Sequence, residues 1–290
     1  MKPTIVEFGN EYGLKTITKN PSDKLYNYQE NFLNFMQEDK YLMVLTSRQM
    51  GGTMCLAIHI AYFLLFNEGE RNQILLTAPK QDNAKQILNM VKVIIQVYNN
   101  NSVYKVKTSC ELQLQSLRNK LNSVKIIASE GSLREANRNK IYELIVDEAA
   151  FCPELDRILN TILNNIDNSV NKEIAIILIS NKSADSSCFL RLFNQEGDSY
   201  HKIKLHYSLN PTYTEERVKY LEETLGQGVF NREFEMIDVD VKDNIAAVST
   251  NLTKIVPIRL NDSQLNKITH KLIERDITIS QYIRDLIDKD

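Results

Sequence analysis

The sequence predicts an α/β fold, a largely parallel β-sheet flanked on both faces by helices, followed by a small C-terminal β-α-α module. Three observations carry this. Five apolar, β-type runs recur at residues 41–46, 73–78, 124–128, 141–146 and 174–180. Helical patterns separate them, such as Asn83 to Tyr98, where Ile87, Met90, Val91, Ile94 and Ile95 share one face. The runs are continuously apolar rather than alternating, as expected of strands covered on both sides.

The elements follow in order. Leu25-Tyr26-Asn27-Tyr28-Gln29 opens an amphipathic helix carrying Phe32, Leu33, Phe35 and Met36. Tyr41-Leu42-Met43-Val44-Leu45 reads as a buried strand. Ser47-Arg48-Gln49-Met50-Gly51-Gly52-Thr53 is a Gly-containing turn, and Met54 to Leu65 is an apolar helix without Gly or Pro. The strand and helix at 73–98 come next, and Asn99-Asn100-Asn101-Ser102 reads as a turn. Strand 141–146 ends in Asp147-Glu148 and strand 174–180 in Ser180-Asn181, polar residues at strand C-termini, where ligands collect in open α/β sheets. Glu215 to Leu225 is a charged surface helix ended by Gly226. Asp238 to Thr253 is polar and small, which divides the chain into a domain at 1–240, a linker at 241–253 and a module at 254–290.

Composition narrows the classes. Hydrophobic residues make up 43% and charged residues 25% of the 290, ordinary for a globular protein. A formal net charge of −2 supplies no general attraction to nucleic acid or anionic membrane, so any such contact needs a local patch. The longest apolar stretch, the helix after Thr53, contains His59 and is too short for a bilayer. Met1-Lys2-Pro3-Thr4-Ile5-Val6-Glu7 turns acidic before any apolar region develops, so no secretory signal is expected. Cys55, Cys110, Cys152 and Cys188 lack C-x-x-C spacing, which favours reduced, packed thiols in a cytoplasmic protein over disulfides or zinc.

The chemistry concentrates around residues 47–53. Strand, Gly-containing turn and helix is the geometry that aims backbone N–H groups at a phosphate. The residue before Thr53 is normally a lysine that reaches the β- and γ-phosphates, and here it is Gly52. A strand ending in Asp147-Glu148 puts the aspartate beside a magnesium position and the glutamate where attacking water would sit. Taken alone, the same residues read as a solvated acidic turn. Tyr28 and Gln29 have the chemistry to stack on adenine and bond its edge, and they equally suit a packing helix.

In order, Tyr28-Gln29, Ser47-Arg48-Gln49-Met50-Gly51-x-Thr53, Leu133-Arg134, Val146-Asp147-Glu148-Ala149-Ala150-Phe151 and Ile179-Ser180-Asn181 resemble the ATPase domain of tailed-phage terminase large subunits. Phe230-Asn231-Arg232-Glu233-Phe234 resembles the end of that domain, and the likeness spans roughly residues 15–240. The resemblance implies a P-loop NTPase-type fold using ATP and magnesium, with phage packaging components as partners in the cytoplasm of an infected bacterial cell. It implies adenine contacts at Tyr28 and Gln29, and phosphate contacts from Ser47, Gly51, Gly52 and Thr53. Arg48 and Arg134 would contribute charge, Thr53 and Asp147 would hold magnesium, Glu148 would act as base, and Ser180 and Asn181 would couple hydrolysis to movement.

The departures are as specific. Gly52 replaces the family's lysine, no lysine lies between Lys40 and Lys80, and Glu135 follows Arg134 where glycine is usual. The family's nuclease domain is not expected in the roughly fifty residues after Asp240. Three functions remain open: a DNA-binding accessory protein with impaired hydrolysis, a working packaging ATPase with a replacement cation, and a non-catalytic interaction protein.

The tail has its own pattern. Val256, Ile258 and Leu260 alternate with Ile255, Pro257 and Arg259 in a short strand. Asn261-Asp262-Ser263 caps a helix with Leu265, Ile268, Leu272 and Ile273 on one face; Thr278-Ile279-Ser280 caps another with Tyr282, Ile283, Leu286 and Ile287. Too small to bury these faces alone, the unit should pair with a second copy. Ile258-Arg259-Leu260 and Thr278-x-Ser280-x-x-Ile283-Arg284 resemble a ribbon-helix-helix module. That family implies a homodimer on double-stranded DNA, with Ile255, Pro257 and Arg259 facing bases and Ser280 holding phosphate. Seven Lys/Arg against six Asp/Glu in 254–290 keep non-specific DNA affinity modest, and dimerisation without DNA contact remains the alternative.

Overall fold

Eight strands form one sheet: β1 (Tyr41–Thr46), β2 (Asn72–Thr77), β3 (Tyr104–Thr108), β4 (Glu111–Gln115), β5 (Leu121–Ile126), β6 (Lys140–Val146), β7 (Ala175–Ser180) and β8 (His201–Leu205). The computed structural model describes residues 2–237 except 21, 68–71, 99–103, 109, 116–120, 128–139, 169–173, 183–186 and 198. All of these belong to the unit Met1–Val239; the second unit, Asp240–Asp290, lies outside the described residues. The linker, the C-terminal module and the turn at 99–102 therefore lie outside them too.

The strand order is β3-β4-β5-β2-β6-β7-β1-β8. From β5 to β8 the neighbours are parallel, and β3 and β4 extend one edge antiparallel. The five apolar runs of the sequence are the inner strands β1, β2, β5, β6 and β7. The other three were not among them. In β8, His201-Lys202-Ile203-Lys204-Leu205 alternates charged and apolar residues, because an edge strand needs only one apolar face. Lysines on that edge also discourage pairing with another chain.

Side-chain alternation splits the core. Leu42 and Val44 of β1, with Ile177 and Ile179 of β7, pack under the helices Asn27–Glu38, Gly52–Phe66 and Gln81–Tyr98 and the N-terminal helical stretch. Met43, Leu45, Ile176 and Leu178 face the other way, against the helices Leu155–Asn168 and Cys188–Asn194. The Gly52–Phe66 helix is apolar all round because it is central: every residue from Cys55 to Leu64 is buried. Its one ionisable side chain there besides the Cys55 thiol and the Tyr62 phenol, His59, is paired, with Nε2 2.8 Å from Glu143 Oε2 of β6 and Nδ1 3.0 Å from Gln37 Nε2. No helix among the described residues is long and apolar enough to cross a membrane.

Candidate functional site

Neighbouring strands β6, β7 and β1 deliver Asp147-Glu148, Ser180-Asn181 and the Ser47–Gly51 loop to one end of the sheet, with Leu45 opposite Ser180 in register. The loop turns through two left-handed residues, Gln49 (φ 61°) and Gly51 (φ 79°). At Gly51 glycine is also a matter of space, since an added Cβ would lie 2.6 Å from Gln29 Nε2. The helix then starts at Gly52, and its first N–H groups, which have no partner within a helix, are the natural anion donors. A cavity of about 250 Å³ lies between the loop, Asp147, Glu148, Ile179, Ser180 and Asn181. That is below the roughly 300–1,000 Å³ of pockets that enclose a whole ligand, so it suits phosphates with the rest of a ligand outside. A larger cavity of about 490 Å³ lies beside Gln37, His59, Tyr142, Glu143 and Ala175, near the starts of β1 and β7, away from the loop convergence.

Thr53 Oγ1 donates to Asp147 Oδ2 at 3.2 Å, which brings together the two residues suited to magnesium. Burial, reinforced by the neighbouring Glu148 charge, pushes the Asp147 carboxyl up to about 6, against opposing bonds from the Thr53 hydroxyl and the Glu148 N–H. Glu148 is left-handed (φ 52°), and its exposed carboxylate accepts from Asn83 Nδ2 at 3.0 Å. Ser180 Oγ accepts from Ala150 N–H at 3.0 Å, joining the end of β7 to the turn after β6.

Residues distant in sequence hold the loop. Tyr28 Oη and Gln29 Nε2 both donate to Met50 O, at 3.0 and 3.2 Å, and Gln29 Oε1 accepts from Tyr26 N–H. Ser47 Oγ donates to Phe234 O at 2.5 Å and accepts from Tyr207 N–H at 3.0 Å. Arg48 turns to Glu233: Nε lies 2.8 Å from Oε2, a charge contact whose N–H direction leaves that oxygen without an aligned hydrogen bond. Arg217 stacks on Tyr213 and donates to Gln49 Oε1 at 3.2 Å. Among the described residues, no Lys or Arg lines the cavity, whereas two carboxylates do.

The structure thus gathers Ser47, Gly51, Gly52, Thr53, Asp147, Glu148, Ser180 and Asn181 around one cavity. Tyr28 and Gln29 are buried behind it as braces of the loop. Arg48 is directed to Glu233. Arg134, Ile255, Pro257, Arg259 and Ser280 lie outside the described residues. Asn83, Tyr213 and Arg217 were missed, for no local motif marks a residue that reaches the loop from another element, and Ile179 stood in the Ile179-Ser180-Asn181 motif without a role. Thr53 and Asp147 fit a magnesium-bearing phosphate, since a divalent ion offsets the acidic lining.

Strand, phosphate loop, buried helix and acidic β6 end make this a P-loop NTPase-type α/β fold. The model for the RNA cytidine acetyltransferase NAT10/TcmA helicase domain matches residues 43–171, less than half of the chain. Solved phage terminases share the fold. An ATPase-domain mutant of the Thermus phage P74-26 large terminase has 13% identity and a TM-score of 0.53, covering 71% of this chain and 93% of that one. The large terminase of a thermophilic bacteriophage, in complex with ADP, gives 10% identity and a TM-score of 0.58, covering 74% of this chain and 54% of that one. The HK97 bacteriophage large terminase gives 16% and 0.57, covering 79% and 53%. The chain spans about half the length of these last two. No curated protein matches the sequence. At such identities the likeness establishes the fold: the chain has a terminase ATPase-domain-like P-loop fold.

Proposed function

We propose that this is a terminase-like, phage-encoded DNA-binding protein whose P-loop receives magnesium-nucleotide but hydrolyses it poorly, acting as an accessory or regulator of viral DNA metabolism or packaging. One observation carries the reading: Thr53 and Asp147 meet at 3.2 Å beside the loop, yet no cation lines the cavity among the described residues. Backbone N–H groups and magnesium suffice to bind phosphate, whereas hydrolysis also needs positive charge where negative charge develops. Losing one such group typically costs about 10²–10³ in rate. DNA binding is assigned to the pattern in residues 254–290, where Ile255, Pro257 and Arg259 would face bases in a homodimer.

The test is magnesium-ATP turnover with and without duplex DNA, alongside the thermal midpoint. The expected result is a rise in midpoint with turnover near background. Robust turnover that Glu148→Gln abolishes overturns the impaired-hydrolysis reading, and an unmoved midpoint removes nucleotide binding. A chain ending at Asp240 should lose both duplex binding and dimerisation; retained DNA affinity overturns the tail assignment. A second reading, a working ATPase, draws on two guanidinium groups beside the loop, Arg48 on Glu233 and Arg217 on Gln49. It requires turnover that disappears in Arg48→Ala or Arg217→Ala.

A further inference from the structure

Gly52 does not need to be glycine for its backbone. It is absent from the positive-φ residues and opens a regular helix, unlike Gly51. What it lacks is room. A Cβ built on Gly52 lies 2.5 Å from Ile179 Cδ1 and 3.7 Å from Ile179 Cγ1. Contacts below 3.0 Å are essentially unknown for real Cβ atoms. Ile179 is buried on the face of β7 that packs under the Gly52–Phe66 helix, and a β-branched side chain is stiff at χ1. Cδ1 is the far end of that side chain, so a Cβ at position 52 displaces it by rotation about χ2, beside the cavity that Ile179 also lines.

We infer that Gly52 and Ile179 are a matched pair: the Ile179 side chain fills the start of the path that a lysine at position 52 would take. Ile179 is thus the specificity-determining residue that restricts position 52 to backbone contacts with phosphate, which rests on the reading of the loop as a phosphate site. The loop is not simply short of one charge. The Ile179 side chain stands where a side chain at position 52 would begin, so a lysine there must displace it.

The pairing is tested without nucleotide by a thermal double-mutant cycle on the full chain: wild type, Gly52→Ala, Ile179→Val and both. Ile179→Val removes Cδ1 and keeps the β-branch. Gly→Ala in a compatible backbone stabilises by reducing unfolded-state freedom, here about 1–3 °C in Tm. The expected result is that Gly52→Ala raises Tm less, relative to its parent, in the wild-type background than in the Ile179→Val background. The same shift in both backgrounds overturns the pairing. The functional arm compares magnesium-ATP turnover of Gly52→Lys alone and with Ile179→Ala. At least a tenfold advantage for the double variant is expected, and equal, measurable turnover counts against the pairing. If the thermal cycle shows coupling while magnesium-ATP leaves the midpoint of every variant unmoved, the nucleotide reading fails and the pairing stands.

Discussion

Replacing Asp147 by asparagine removes a carboxylate that the fold holds against its preference for water. Its carboxyl rises from an ordinary 3.8 to about 6, chiefly through burial and secondarily through Glu148. The folded chain therefore binds this proton more tightly than the unfolded chain does. The stabilisation from the proton is fully present below 3.8 and is lost as pH rises through about 6. Above that, the ionised carboxylate costs the fold about 3 kcal/mol, from about 1.4 kcal/mol for each unit of difference. Asparagine keeps the shape, with Oδ1 to accept from the Glu148 N–H and Nδ2 to donate to the Thr53 hydroxyl, but cannot ionise. Thermal denaturation of wild type and Asp147→Asn from pH 4 to pH 8 should show curves that converge at the acid end. At pH 8 the variant should melt about 6–10 °C higher. Magnesium-nucleotide should narrow that gap, because only the carboxylate gains a ligand. A variant that tracks wild type at every pH, or melts lower at pH 8, refutes the account of Asp147 as a strained, cation-seeking group.

Ser47→Ala should cost about 2 kcal/mol by chemical denaturation, since Tyr207 N–H and Phe234 O both lose their partner in a buried site. Tyr28→Phe should cost about 1 kcal/mol or less, because Gln29 still donates to Met50 O, and a much larger loss would mean that Tyr28 does more than brace the loop. Glu143→Ala should cost about 2–4 kcal/mol in the same assay, through a cavity and an unpartnered His59 Nε2. Arg48→Ala, whose side chain is 54% exposed, should change stability by less than about 1 kcal/mol.

The sequence by itself determined what is local and contiguous. An inner parallel strand must be apolar on both faces, so β1, β2, β5, β6 and β7 announce themselves as runs. A phosphate loop is a few consecutive residues whose turn needs Gly51, and Asp147-Glu148 and Ser180-Asn181 sit at strand ends that periodicity locates. The edge strands were less visible because β8 is apolar on one face only, and its lysines look like surface. Tertiary structure decided everything that depends on direction. Arg48 meets Glu233 because a segment far along the chain lies beside it, and Tyr28 and Gln29 brace the loop because the Met50 carbonyl lies within reach of both. Gly52 reads in the sequence as a lysine removed. Only the packing of β7 against the loop helix shows that Ile179 occupies the space, because steric exclusion acts between atoms that the chain brings together from 127 positions apart.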